Sequence, residues 1–170
     1  MKKLKTVFVD MDGVLCDMEA EYKTMFNMTP LEARNTSREC YDTNWHQFVA
    51  KRAFRRLPEH PGARQLLDYL KTKEDVANMA ILSSSSGLES HFLVQHDKLI
   101  WLEDHDVKYP ALIVPGRFYK KNYANINSYL IDDFPANIHE FVGAGGAGII
   151  HKDSNDTIAD IERWLNGNSN

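Results

Sequence analysis

Thr6-Val7-Phe8-Val9-Asp10-Met11-Asp12-Gly13-Val14 joins two signals in one short run. Its first four residues are β-branched or aromatic and read as a buried strand. The strand stops at Asp10. Two carboxylates then stand two residues apart on the turn leaving it, and Gly13 lets the backbone bend.

The same pattern recurs along the chain. Val76 to Leu82 is apolar and ends in Ser83-Ser84-Ser85-Ser86-Gly87. Ala111-Leu112-Ile113-Val114 precedes Pro115-Gly116 and then Lys120-Lys121, Tyr129-Leu130-Ile131 runs into Asp132-Asp133, and Gly148-Ile149-Ile150 is a last strand. Helical patterns lie between the strands. Ala63, Leu66, Leu67 and Leu70 mark an amphipathic helix that starts near Pro61 and runs to about Lys73. Leu88 to about Asp104 reads as helix, a short helix comes after Asp133, and Ile158, Ile161, Trp164 and Leu165 share one face of a final helix.

Strands alternating with helices predict an α/β fold: a Rossmann-like parallel sheet of about five strands with helices on both faces. Residues 17–57 break the alternation with helical fragments and the aromatics Phe26, Trp45, Phe48 and Phe54. We expect a small helical insertion there, with residues 1–16 and 58–170 forming the α/β core.

Length and composition narrow the class. At 170 residues the chain fits one domain with a small insertion, since domains average roughly 100 to 200 residues. Its 43% hydrophobic and 26% charged residues supply an ordinary core and exclude disordered and fibrous classes. A net charge of −4 argues against extended nucleic-acid binding, which needs a basic face. Cys16 and Cys40 form neither a disulfide framework nor a four-cysteine zinc site. No apolar run approaches the ~18 residues of a membrane span. Met1-Lys2-Lys3-Leu4-Lys5 resembles a signal n-region, but Asp10 and Asp12 cut short the apolar stretch after it. We expect a soluble, cytoplasmic protein with no membrane partner, as a monomer or homodimer.

Asp10, Asp12, Ser83, Asp132 and Asp133 all fall at carboxyl ends of expected strands, where α/β sheets bind ligands, and Lys120 lies beyond the third strand. Taken singly, each has an ordinary reading: a helix-capping pair, a polar loop, a solvated face. Together they suggest one site. Converging carboxylates repel unless a cation sits among them, and oxygen-only donors suit Mg2+. A hydroxyl and an ammonium beside that ion would hold a phosphoryl group. Asp10 would attack it, forming an aspartyl phosphate, and Asp12 would serve as general acid and then base.

On these residues the chain resembles the haloacid-dehalogenase-like hydrolase superfamily, whose four motifs are read here as Asp10-Met11-Asp12-Gly13-Val14, Ser83, Lys120 and Leu130-Ile131-Asp132-Asp133. The resemblance implies Asp10 as nucleophile, Asp12 as acid/base, and Ser83, with Ser84, and the lysine as phosphate holders. It implies Mg2+ on Asp10, the backbone carbonyl of Asp12 and an acid of the fourth motif, Asp133 before Asp132. Lys120-Lys121-Asn122-Tyr123-Ala124 favours Lys120 over Lys121. Leu57-Pro58-Glu59-His60-Pro61-Gly62-Ala63 is similar to the segment leaving the cap of 5'(3')-deoxyribonucleotidases. That family implies a nucleoside monophosphate as substrate. Trp45, Phe48 and Phe26 of the insertion are then candidates to stack on a base, or simply the insertion's own core. A sugar phosphate, a 3'-phosphorylated DNA end or a non-catalytic phosphate-binding module are the alternatives.

Other motifs fall away. Gly143-Ala144-Gly145-Gly146-Ala147-Gly148 matches G-x-G-x-x-G, but an expected helix precedes it and a strand comes next, the reverse of a dinucleotide loop. It reads as a helix C-terminal turn. The histidines offer no H-E-x-x-H, Gly13 is misplaced for a calcium hand, and no G-x-S-x-G surrounds the serines.

Overall fold

The computed structural model describes residues 5–85 and 87–167. The expected lysine-rich start at residues 1–4, Ser86 of the serine loop and the end of the expected core at 168–170 lie outside them.

Five parallel strands form one sheet, in the order β3-β2-β1-β4-β5. They are β1 (Lys5–Val9), β2 (Ala77–Ser84), β3 (Ala111–Val114), β4 (Ser128–Asp132) and β5 (Ala147–Ile150). The register stacks Val7 against Met79 and Tyr129, Phe8 against Ala80 and Leu130, and Val9 against Ile81 and Ile131. Because side chains alternate across a strand, these rows separate into two cores. Val7, Val9, Met79, Ile81, Tyr129 and Ile131 join one cluster, and Phe8, Ala80, Leu82 and Leu130 the other.

Helices cover both faces, as expected. The first core takes Leu66, Leu67 and Leu70 of α4 (Ala63–Lys71), counting helices in chain order. It also takes Trp101 of α5 (His91–Asp104) and Ile161 and Trp164 of α7 (Ser154–Leu165). The second core takes Ile138 and Phe141 of α6 (Pro135–Gly143). The glycine-rich run is the turn from α6 into β5. Some limits shift: the helix after Pro61 begins at Ala63 with Gly62 as its N-cap, α5 begins at His91 instead of Leu88, and β2 runs on past Leu82 to Ser84.

Between β1 and α4 lie α1 (Met18–Phe26), α2 (Pro30–Thr36), α3 (Arg38–Ala50) and a 3-10 turn at Ala53–Arg55. Their starts are written locally. The Asp17 side chain accepts from the Ala20 N–H, Thr29 and Glu32 form a capping box ahead of Pro30, and the Ser37 hydroxyl accepts from the Cys40 N–H. The chain leaves and rejoins the core side by side: the Asp17 N–H donates to Pro58 O and the His60 N–H to Leu15 O. Tyr22, Phe48 and Phe54 are buried and continuous with the first sheet core. No helix among the described residues is long and apolar enough to cross a membrane.

Candidate active site

Central position in the sheet places β1 at the bottom of the site, with β4 and β2 supplying its flanks. Asp10 caps β1 and is nearly buried. One oxygen accepts from the Met11 N–H at 2.8 Å and the other lies 2.8 Å from Lys120 Nζ. Lys120 comes from a 3-10 segment, Arg117–Tyr123, that the sequence reading missed. Its ammonium is buried and also donates to Asp132 Oδ2 at 2.6 Å. Lys121 instead stands half-exposed 3.8 Å from Glu140, outside the cluster.

Asp132, at the end of β4, is saturated. Besides Lys120 it accepts two bonds from Asn137 Nδ2, each 2.9 Å, and one from the Phe134 N–H at 2.9 Å. Asp133 is exposed and accepts no hydrogen bond among the described residues. Carboxylate oxygens of Asp10, Asp132 and Asp133 all lie within 4.8 Å of one another. Gly13, at φ +73°, is what admits Asp133: a Cβ there would collide with its Oδ2.

These groups set each other's charge. Burial pushes Asp10 up, but the ammoniums of Lys120 and Lys98 and bonds from Lys120 and Ser83 overrule it and hold the carboxyl low. Burial likewise opposes charge on Lys120, and Asp10 and Asp132 hold it above the ordinary lysine value. Asp132 is pushed up to about 6 by burial and by Asp10. Asp133 is pushed up to about 7 by desolvation and by Asp10, Asp132 and Asp12, although its outer edge faces water. Without a cation, that corner of the site carries more negative charge than its surroundings neutralise.

On the other side, Ser83 at the end of β2 is fully buried, and its hydroxyl accepts from Lys98 Nζ at 2.8 Å. Lys98 is the main residue the sequence reading overlooked. It arrives from α5 with no exposed surface and also donates to Asp12 Oδ2 at 2.6 Å and to Ser84 O at 2.9 Å. Asp12 keeps a quarter of its side chain exposed, at 26%. Ser84 thus meets the cluster through its carbonyl.

Asp10, Asp12, Ser83, Lys120, Asp132 and Asp133 therefore converge as the sequence suggested, and Lys98 joins them. The aromatics do not. Phe48 is fully buried against Tyr22, Trp45 and Phe54, so as a stacking residue it is corrected to a core residue of the insertion. Phe26 packs on Tyr22 at 4.7 Å between ring centroids. Trp45 is half-buried and lines a groove of about 520 Å3 with Val49, Gly87, Leu88 and Leu93. A separate cleft of about 640 Å3 opens beside Asp12, Gly13 and Asp133, with Met18, His60 and His151 among the other residues of its wall.

Comparison with known proteins gives one family. The model described as "5' nucleotidase, deoxy (Pyrimidine), cytosolic type C protein" matches residues 4–168. No curated protein matches by sequence. Among solved structures, a hydrolase from Streptococcus pneumoniae TIGR4 is 14% identical with a TM-score of 0.51, over 96% of this chain and 99% of that one. A HAD family enzyme from Bacteroides thetaiotaomicron, in complex with magnesium and inorganic phosphate, is 14% identical with a TM-score of 0.47, over 88% and 94%. The likeness to the Streptococcus hydrolase is one of fold.

Proposed function

The chain belongs to the family of cytosolic type C 5'-nucleotidases, within the haloacid-dehalogenase-like hydrolases, and from that premise we propose that it is a Mg2+-dependent phosphomonoesterase acting on deoxyribonucleoside monophosphates. The observation that carries this reading is the pairing of Asp10 with Lys120 and of Asp12 with Lys98 at one end of the sheet.

The donors fit a hard cation. Asp10 and Asp133, which accepts no hydrogen bond among the described residues, would hold Mg2+ with the Asp12 carbonyl, and Asp132 would serve mainly by orienting Lys120. When bound, the ion neutralises phosphoryl oxygens and the crowded carboxylates.

Each chemical step uses this chain's own groups. Asp10, held ionised, forms a bond to phosphorus as the bond from phosphorus to the leaving nucleoside oxygen breaks, and Asp12 gives that oxygen its proton. Asp12 then takes a proton from the water that displaces Asp10 from phosphorus, which regenerates both carboxyl groups and releases phosphate. Ser83, Lys120 and Lys98 supply a hydroxyl and two buried ammoniums for the charge that builds on the transferring group. Residues 17–57 act as a small cap over the core formed by 1–16 and 58–170, and Trp45 is its candidate for contact with the base. The family description supports a cytosolic location.

Phosphate release from deoxy- and ribonucleoside 5'- and 3'-monophosphates, sugar phosphates and a 3'-phosphorylated oligonucleotide, with Mg2+ and with EDTA, tests the proposal. EDTA-sensitive release that favours deoxynucleotides supports it. Release confined to sugar phosphates or the oligonucleotide keeps Asp10 and Asp12 in their roles and removes the nucleotidase assignment.

A further inference from the structure

Asp97 and Lys98 are neighbours on α5, and both are buried. Successive helical residues point about 100° apart, so one turn of α5 faces two places at once. Lys98 reaches Asp12 and Ser83. Asp97 reaches the segment by which the helical insertion returns to the core, where Arg52 Nε donates to both of its oxygens, at 2.8 and 3.0 Å.

That segment grips α5 at two further points. The Phe54 ring lies 5.2 Å from Lys98 Nζ, and Trp101 Nε1 donates to Leu57 O at 2.7 Å. Arg52, Phe54 and Leu57 thus meet Asp97, Lys98 and Trp101 in order along the helix. Arg52 holds a left-handed backbone conformation, φ 57° and ψ 37°, that residues with a Cβ seldom adopt. A planar guanidinium matches a carboxylate with two parallel bonds, which fixes direction as well as distance. The insertion cannot shift at Arg52 without releasing Asp97 or carrying α5, and Lys98 with it.

Building on the aspartate chemistry proposed for Asp10 and Asp12, we infer that Arg52 and Asp97 are positioning residues: their ion pair ties the insertion to α5 and so fixes Lys98, and through it Asp12, for proton transfer to the leaving oxygen. A purely structural pair would hold the fold without regard to that proton.

Leaving groups separate the two roles. A nucleoside or sugar alkoxide needs the proton from Asp12, whereas p-nitrophenolate leaves with little help. The test measures kcat and KM of the Mg2+-loaded, full-length chain for wild type, Arg52→Gln, Arg52→Lys and Asp97→Asn. The substrates are p-nitrophenyl phosphate and whichever alkyl phosphomonoester the wild type turns over. Hydrolysis of the aspartyl phosphate is common to both esters and also uses Asp12, so the comparison is made on kcat/KM, which reports aspartyl-phosphate formation. Arg52→Gln is expected to lower it about tenfold on the alkyl ester, a fraction of what a general acid contributes, and no more than about threefold on the aryl ester, the share that reaches the phosphoryl group through Lys98. Arg52→Lys should recover part of the loss. An equal fall in kcat/KM on both esters, or no fall on either, overturns the inference. Should Asp97→Asn fail to fold, Arg52→Gln decides alone, because that side chain is already 35% exposed. A wild type active on sugar phosphates but not on nucleotides would remove the nucleotidase reading and leave this comparison standing. A wild type active on no alkyl ester would overturn both.

Discussion

Replacing Lys98 with methionine keeps an unbranched side chain of similar length and removes only the ammonium. Three acceptors lose their donor: Asp12 Oδ2, Ser83 Oγ and Ser84 O. Asp12 is 26% exposed and can rehydrate, and the Ser83 hydroxyl can turn, so the lost hydrogen bonds together cost about 1–3 kcal/mol. Against this, burying a lysine ammonium costs several kcal/mol that methionine avoids. The two nearly cancel, so stability should change by no more than about 2 kcal/mol, or roughly 4–8 °C in Tm for a chain of this size. Catalysis has no such offset. Asp12 loses the group that orients it and the phosphoryl site loses one of two buried cations, so kcat should fall about 10²- to 10³-fold, roughly 3–4 kcal/mol of barrier. Phosphate release from a nucleoside monophosphate with Mg2+, beside thermal melting, checks both numbers. A kcat within threefold of wild type would refute the role given to Lys98 and reduce it to a buried structural cation.

The geometry sets three further outcomes. Gly13→Ala should cost about 1 kcal/mol of stability through its positive φ and abolish most Mg2+-dependent turnover by displacing Asp133, read by melting and by Mg2+ titration of activity. Asp132 and Asp133 are pushed up from 3.8 to about 6 and about 7 by burial and neighbouring acids, so the metal-free fold is favoured by them at acid pH and loses that contribution progressively as pH rises from 3.8 to about 7. Mg2+ should therefore raise Tm more at pH 8 than at pH 5, and an equal rise at both would contradict the carboxylate cluster as its site. Phe48→Ala should cost about 3–5 kcal/mol with KM little changed in the folded fraction, whereas Trp45→Ala should raise KM for nucleotides about fivefold at a smaller cost in stability; the reverse pattern would return Phe48 to the binding surface.

Much of the fold is legible because a parallel strand announces itself by a continuous apolar run with a polar end. Val7, Phe8 and Val9 face two different cores and are all apolar, which is what burial on both faces requires. Local capping signals, such as Thr29-Pro30-Leu31-Glu32, fix helix starts within the insertion, but the packing among those helices is tertiary. Nothing in the spacing of Trp45 and Phe48 tells that one ring keeps an open face and the other is enclosed by Tyr22, Trp45 and Phe54.

The site is legible in the same uneven way. Asp10, Asp12, Ser83 and Asp132 sit on strands or at their ends, so a topology rule carries them to one end of the sheet. Lys98 and Asn137 come from helices, where a charged or polar residue is read as solvated. Yet a signal exists. Val94, Asp97, Lys98, Trp101 and Leu102 occupy the i, i+3, i+4, i+7, i+8 stripe of a buried helix face, and Asp97 and Lys98 hold inward positions of it. Asn137 sits beside the inward Ile138 on α6 and bonds both oxygens of Asp132. Burying such a group is unfavourable without a partner, so a polar residue inside an apolar stripe demands one on whatever the helix covers. Here Lys98 and Asn137 both reach the carboxyl ends of the strands, and their partners include the acids already expected there. The overlooked residues were thus recoverable from the conflict between their chemistry and their place in the helical period.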